Sequence, residues 1–391
     1  MTIHGRVLDL RGPASGYHDF HPDISLNFQC NRFLEWIGPE AHDEIATAVS
    51  NVRTYEQWIE AFLALAAQTR AAGRVLAAGY YDRAGEFFMP PQDVRKAAAR
   101  ARFLDTMREQ YGVQPDQISY GGAWLPAYDL RPEQSSAKQT MVVFGGYDSY
   151  IEEFLPMLTA ITAEGHRVVA FEGPGQGSAL EDAGLVLTRE WERPVAAVLD
   201  HYGLDDVTAV GISLGGGLVI RAAAFEPRIR RAVAWDILDD FLEAIGRQIA
   251  PGAARVVHAL LTLRARRTID AASARATRSP VSQWGLWQGM HITGTTSPHD
   301  FFAFARALTT RSVSGRVTAD MLLLAGTDDH YVPLHQLYRQ ARNLTAARSV
   351  TTRVFTAAEQ ASNHCQIGNV GAAVRTILSW VDTLSAASPP S

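Results

Sequence analysis

Cysteine and lysine are nearly absent from this chain, and each shortage excludes something. Two cysteines in 391 residues, Cys30 and Cys365, cannot form a disulfide framework. Lys96 and Lys138 are the only lysines, so arginine carries almost all the positive charge, and it is scattered. No basic block or aromatic ladder offers itself to nucleic acid, which removes that partner class. No sustained apolar run of about 18 residues exists to cross a bilayer, and residues 1–10 lack the apolar stretch of a signal peptide. The expectation is a cytoplasmic protein without a membrane partner. Nucleotide-binding patterns are missing as well: residues 173–177 hold Gly173, Gly175 and Gly177 but match neither phosphate-loop spacing. His18 and His21 flank Asp19 without a third ligand at metal-binding spacing. Neither a cofactor nor a metal is expected.

What is present is globular in character: 47% of residues are hydrophobic, 20% are charged and the net charge is -5. A chain this long exceeds one ordinary core, so a catalytic domain with an accessory layer is the default. Its centre of organisation is V-T-A-V-G-I-S-L-G-G-G-L-V-I, from Val207 to Ile220. A short β-rich run meets Gly211-Ile212-Ser213-Leu214-Gly215, and small residues then continue as a helix. This G-x-S-x-G pattern makes a sharp strand-to-helix turn with serine at its apex. A Cβ at Gly211 or Gly215 would collide with neighbouring backbone. The helix N-terminus offers unpaired N–H groups to a developing oxyanion.

Helical periodicity runs from Asn31 to about Tyr111. Residues 54–69 put Trp58, Phe62 and Leu65 on one face. Residues 71–88 and 91–111 predict two more helices, the second opened by Pro90-Pro91 with Asp93 in its first turn. Tyr80, Tyr81, Phe87 and Phe88 concentrate aromatic surface here. They read either as filling of a helix interface or as a substrate-pocket wall. Residues 1–117 thus form a mainly helical cap-like domain.

After Gly112 strands alternate with helices, at 118–130 (a strand or hairpin), 140–144, 167–171, 207–210, 231–235, 320–325 and 349–355. Near-continuous apolar strands separated by helices imply an α/β fold with a mostly parallel sheet, covered on both faces. Chemistry then sits at the carboxyl ends of the strands. The core occupies 118–236 and 318–383. Between them, 237–317 breaks the alternation and reads as a helical lid carrying Trp284 and Trp287. Residues 384–391 read as a disordered tail.

A serine nucleophile needs a base, and the base needs an acid to fix its tautomer. His364, in Ser362-Asn363-His364-Cys365-Gln366, follows the last strand. The preceding loop, Gly326-Thr327-Asp328-Asp329-His330-Tyr331-Val332-Pro333, supplies the acid: Asp329 is favoured and Asp328 is the alternative. The N–H groups of Leu214 and Tyr147 are the oxyanion donors, with Gly145-Gly146 permitting close approach. Candidate pocket residues are Gly146, Glu172 (a substrate contact or a structural carboxylate), Asp236 at the lid hinge, and the aromatic residues Tyr80, Tyr81, Phe87, Phe88, Trp284 and Trp287.

Taken together, these motifs resemble the α/β-hydrolase superfamily from about Ile118 onward. The helical N-terminal region, followed by F-G-G-Y-D-S-Y-I-E-E-F and F-E-G-P-G-Q-G, is similar to one branch of it. That branch holds 2,6-dihydroxypseudooxynicotine hydrolase, fungal polyketide chain-shortening hydrolases and FrsA-like esterases. The resemblance implies an α/β-hydrolase fold with Ser213 as nucleophile, His364 as base and Asp329 as acid, roofed by the N-terminal helices. It also implies hydrolysis of a C–C bond beside a ketone in an aromatic or polyketide-like small molecule, with attack by Ser213 or by a water that His364 activates. Ester or thioester hydrolysis by the same residues is the second expectation. A cyclase, lyase or pure binding role is the third. The expected partner is a small molecule of aromatic or ketone character, and homodimerisation is left open.

Overall fold

The computed structural model describes residues 4–134, 136–276 and 280–387. Five helices come first: α1 (Ile24–Ile37), α2 (His42–Val49), α3 (Tyr55–Ala71), α4 (Val75–Phe87) and α5 (Lys96–Tyr111). A hairpin of β1 (Asp116–Tyr120) and β2 (Ala123–Leu130) leads to β3 (Thr140–Phe144), α6 (Leu155–Ala163) and β4 (Arg167–Phe171). Next are α7 (Gly177–Glu181), α8 (Glu192–Tyr202), β5 (Val207–Ile212), α9 (Leu214–Phe225) and β6 (Ile229–Trp235). A run of helices follows: α10 (Phe241–Ile249), α11 (Ala253–Thr262), α12 (Arg266–Ala276), α13 (Pro280–Thr293) and α14 (Pro298–Ala307). The chain closes with β7 (Asp320–Gly326), α15 (His335–Asn343), β8 (Ser349–Phe355) and α16 (Val370–Ala387).

The eight strands form one sheet in the order β1-β2-β4-β3-β5-β6-β7-β8. From β4 to β8 every neighbouring pair is parallel, and the β1–β2 hairpin adds an antiparallel edge through β2 and β4. Side chains alternate across the sheet as strand geometry requires. Met141 and Val143 pack toward α1, α6 and α16, whereas Val142 and Phe144 pack toward α8 and α9. Phe144 is registered beside Gly211, and Gly211 beside Ala234. The loops after β3, β5 and β6 therefore leave the sheet at one level, which is what brings distant motifs together.

Three expectations about local structure need correction. The helix expected from Pro91 begins at Lys96, because Asp93 accepts from the Arg95 amide and guanidinium and closes a turn first. Helical structure also starts earlier than Asn31: α1 begins at Ile24, capped by the Asp23 carboxylate on the amides of Ser25 and Leu26. The tail expected to be disordered from 384 continues as helix through Ala387, and 388–391 lie outside the described residues. Among the described residues, no helix is long and apolar enough to cross a membrane.

Buried charge joins the N-terminal helices to the sheet. Glu153, just past β3, takes Arg32 of α1 and Arg83 of α4, each at 2.7 Å. Arg83 also pairs with Glu86, which pairs with Lys96 of α5. Arg108 and the Tyr128 hydroxyl meet Glu152, at 2.9 and 2.6 Å. Burial opposes ionisation of Glu86, but Lys96 and Arg83 outweigh it and hold the carboxyl down to about 2. Opposite charges this deep are costly to separate, since the survivor stays uncompensated in a poor solvent. Replacing Arg83 by Met should lower the unfolding free energy by about 3–5 kcal/mol in urea titrations near neutral pH. The difference from the native protein should shrink as pH falls below the unfolded glutamate value of about 4.3. There the unfolded chain's carboxyls take up protons while Glu86 of the folded protein stays ionised, so the contribution fades and is gone once pH falls through about 2.

Candidate active site

The turn between β5 and α9 explains its own sequence. Ser213 sits at φ 61°, ψ -119°, a conformation that costs a non-glycine residue about 1–3 kcal/mol and persists only where the surroundings enforce it. A Cβ on Gly211 would overlap the carbonyl of Gly215, and one on Gly215 would come within 2.6 Å of the Gly145 carbonyl. The Ser213 amide donates to the Trp235 carbonyl at 2.8 Å, tying the apex to β6.

Around that apex the three residues singled out for nucleophile, base and acid stand in line. Ser213 Oγ lies 2.8 Å from His364 Nε2, and His364 Nδ1 lies 2.7 Å from Asp329 Oδ2. Asp329 Oδ1 accepts from the amides of Tyr331 and Val332, at 2.7 and 2.9 Å, so its own loop aims it. Asp329 is buried, whereas Asp328 is exposed and outside this arrangement. Burial disfavours charge on both partners, yet their mutual attraction wins: His364 is pushed well above the ordinary imidazole range and Asp329 is lowered. An imidazole with Nδ1 fixed this way offers Nε2 to the serine proton.

A second carboxylate reaches the same nitrogen. Asp236, at the end of β6, places Oδ2 3.2 Å from His364 Nδ1. The sequence located it at the lid hinge; the structure puts it behind the histidine, away from the cavity lining. Asp236, His364 and Cys365 each bring a potential ligand atom within 4.8 Å of the others, the one such group among the described residues. The ring nitrogen that faces Asp236 is Nδ1, already engaged by Asp329, so a metal there and the histidine–Asp329 contact would exclude each other.

The loop after β3 passes directly over the serine. A Cβ on Gly146 would lie 2.9 Å from the Ile212 carbonyl and 3.0 Å from Leu214 N and Ser213 Cβ. The peptide that carries the Tyr147 N–H is thus held against Ser213. Leu214 is the first residue of α9, where the helix leaves its amides unpaired. The Tyr147 hydroxyl donates to the Gly285 carbonyl of α13 at 2.6 Å, and Arg32 and Arg83 hold the side chain and carbonyl of Asp148.

Ser213 and His364 open into a cavity of about 200 Å³. Its wall combines α1 (Ser25, Phe28, Arg32, Trp36), the β3–α6 region (Gly146, Tyr147, Phe154, Met157) and the α10–α14 segment (Phe241, Trp284, Phe301, Phe302). Most of the aromatic residues expected in the wall are elsewhere. Tyr80 donates to the Glu153 carbonyl, Tyr81 to Glu44, and Phe88 stacks on Tyr55 with centroids 4.1 Å apart. Phe87 stacks behind Trp284, and Trp287 packs on the core without reaching the cavity. Tyr80, Tyr81, Phe87 and Phe88, on or just past α4, are used up in packing α4 against its neighbours, and Trp287 of α13 packs on the core. Glu172 is likewise a structural carboxylate, accepting from the amides of Ile151 and Ser178. Burial, then the neighbouring Glu152 charge, push it up to about 8. The sequence reading missed α1. Its signal was the helical spacing of Ser25, Phe28, Arg32 and Trp36, which lies in a stretch read as irregular up to residue 30.

A parallel sheet, a strained serine turn and a histidine after the last strand define a hydrolase class, and comparison with known proteins agrees. Residues 139–365 match the alpha/beta hydrolase fold family, more than half of the chain, and the chain belongs to that family. It is similar to the hydrolase acrC of Aspergillus aculeatus, 34% identical over 247 residues, covering 50% of this chain and 56% of that one. It is 25% identical over 206 residues to 2,6-dihydropseudooxynicotine hydrolase of Paenarthrobacter nicotinovorans, covering 47% and 56%. Each match thus spans little more than half of the relative. The crystal structure of 2,6-dihydroxy-pseudo-oxynicotine hydrolase superposes with a TM-score of 0.59 at 19% identity, covering 88% of this chain and 92% of that one, which supports the shared fold. The protein is an α/β-hydrolase-fold enzyme.

Two substitutions probe the geometry. Gly146→Ala should leave the fold intact but displace the loop by a few tenths of an ångström, lowering kcat toward an activated aryl ester by about 10²-fold. Asp329→Asn should cost far more activity than Asp328→Asn; the reverse order would move the acid back by one residue. His364 must be neutral to take the serine proton, so kcat/KM rises with pH through its raised pKa. Removing the Asp329 charge lowers that pKa, and the acidic limb of the Asp329→Asn profile should move to lower pH.

Proposed function

We propose that this enzyme hydrolyses a carbon–carbon bond beside a ketone in a neutral, largely apolar small molecule of aromatic or polyketide character. The observation that carries the reading is the cavity around Ser213 and His364. Aromatic and aliphatic side chains from both helical segments wall it, and its lining is almost wholly apolar. Among the described residues, Arg32 is the only arginine in that lining, and Asp148 and Glu153 occupy it. A substrate carboxylate or phosphate would find no free cation among the described residues of the lining, and neutral molecules fit best. The enclosure orders a rigid substrate, a need that is weaker for a simple ester.

In this mechanism Ser213 Oγ attacks the ketone carbon while His364 Nε2 takes its proton. The resulting oxyanion lies between the N–H groups of Leu214 and Tyr147. The carbon–carbon bond then breaks, its electron pair leaving as an enolate or electron-rich ring carbon. Protonated His364 returns the proton to that carbon. Water, activated by the same histidine, cleaves the acyl-serine, releases a carboxylic acid and restores Ser213. Likeness to the branch that includes 2,6-dihydropseudooxynicotine hydrolase supports this choice of bond.

An aryl 1,3-diketone and an aryl ester of the same shape, incubated with the native enzyme and with Ser213→Ala, separate the alternatives by mass spectrometry. Serine-dependent release of both halves of the diketone, at kcat/KM equal to or above the ester's, is expected. Ser213→Ala should lose about 10²-fold or more on either compound. Ester turnover with the diketone untouched would support a carboxylesterase instead. A rearranged product of unchanged mass would support a cyclase.

A further inference from the structure

Asp236 is built into the site more firmly than its distance from the cavity requires. It terminates β6 in a left-handed conformation, φ 57°, which costs an aspartate free energy that its surroundings must supply. Its carboxylate is buried, 1% exposed, and every polar contact it makes converges on the histidine turn. Oδ2 accepts from the Cys365 amide and stands 3.2 Å from His364 Nδ1, while Oδ1 accepts from Gln366 Nε2 at 3.0 Å. Cys365 and Gln366 are themselves both left-handed, at φ 51° and 52°. Two consecutive residues in that region make a turn that would relax without an anchor, and Asp236 holds it at two points. The nucleophile packs against the same place: the Ser213 amide bonds to the Trp235 carbonyl, and a Cβ on Gly216 would come within 2.5 Å of the Asp236 carbonyl.

We propose that Asp236 is a second acid of this site, a positioning residue that orients His364 through Nδ1 beside Asp329 and supports the imidazolium when Asp329 is lost. The proposal rests on the reading of Ser213 and His364 as nucleophile and base. Two carboxylates, one from the end of β6 and one from the loop after β7, then face one ring nitrogen, Asp329 through a hydrogen bond and Asp236 as a charge 3.2 Å away. Asp329 is the nearer partner, at 2.7 Å against 3.2 Å, so it carries the larger part. The cost of the arrangement is visible on Asp236: burial first, then the Asp329 charge, push its pKa up to about 7. A carboxylate kept next to another in the interior, at that cost, needs a reason beyond filling space.

The test compares Ser213→Ala, Asp329→Ala, Asp236→Asn and the double variant Asp329→Ala/Asp236→Asn on p-nitrophenyl butyrate. Circular dichroism and thermal unfolding check each fold. Where one acid acts alone, its loss costs roughly 10⁴-fold in kcat. With Asp236 in reserve, Asp329→Ala should lose only about 10²-fold, and the double variant should fall to about 10⁴-fold below native. Asp236→Asn, nearly the same shape, should lose about 10-fold in kcat with KM unchanged. A double variant no worse than Asp329→Ala, or an Asp236→Asn enzyme with native kcat, would overturn the proposal. Should the Asp236 variants fail to fold, Asp329→Ala alone decides: a loss of about 10⁴-fold, the figure for an acid acting alone, leaves no role for a second acid. Native activity in Ser213→Ala would instead sink the nucleophile reading, an outcome the other variants do not produce.

Discussion

The contact on which most of this structure depends is backbone against backbone, where the Gly145-Gly146 loop crosses the turn at Ser213. There is no room for a side chain on either surface: Gly211, Gly215 and Gly146 would each meet main-chain atoms with a Cβ. That closeness brings the Gly146–Tyr147 peptide beside the first amide of α9, the geometry an oxyanion requires. It also lets the strained serine persist, since neighbours on three sides enforce its conformation.

Other parts of the molecule hold this loop in place. Arg32 and Arg83 reach from α1 and α4 to Asp148 and Glu153, and the Tyr147 hydroxyl ties the loop to α13. Trp284 of α13 donates in turn to the Phe87 carbonyl of α4 at 3.0 Å. The N-terminal helices and the helices between β6 and β7 are thereby linked to each other and to the oxyanion loop. Buried ion pairs are poor sources of net stability, but they are intolerant of misplacement. Their use here fits a role in fixing position.

The same economy marks the histidine. One ring nitrogen faces Ser213, and the other faces two carboxylates. The charged groups around the histidine and on Arg32 are paired, and the cavity beside them is lined largely by carbon. Such a cavity suits a ligand held by shape and desolvation.

Much of this was legible in the sequence where chemistry depends on neighbours in the chain. G-I-S-L-G specified a serine at a strand-to-helix turn because Gly211 is demanded by a contact within the motif, the carbonyl of Gly215. The loops holding Asp329 and His364 followed from strand order, since a parallel sheet sends its carboxyl-terminal loops to one edge. What tertiary structure alone decided was which side chains meet across that edge. Tyr80, Tyr81, Phe87 and Phe88 are as aromatic as any pocket wall, yet the rotation of α4 turns them toward α3, α5 and α13. Phe28 and Trp36 line the cavity because α1 lies across the sheet. Asp236 reads in sequence as an acid at the end of a strand. Its 3.2 Å approach to His364 depends on the register of β6 and β7 and on two left-handed residues after the histidine. Local sequence fixes which groups are available and how each turn is built. Distances between groups over a hundred residues apart are set by packing, and packing is a property of the whole chain.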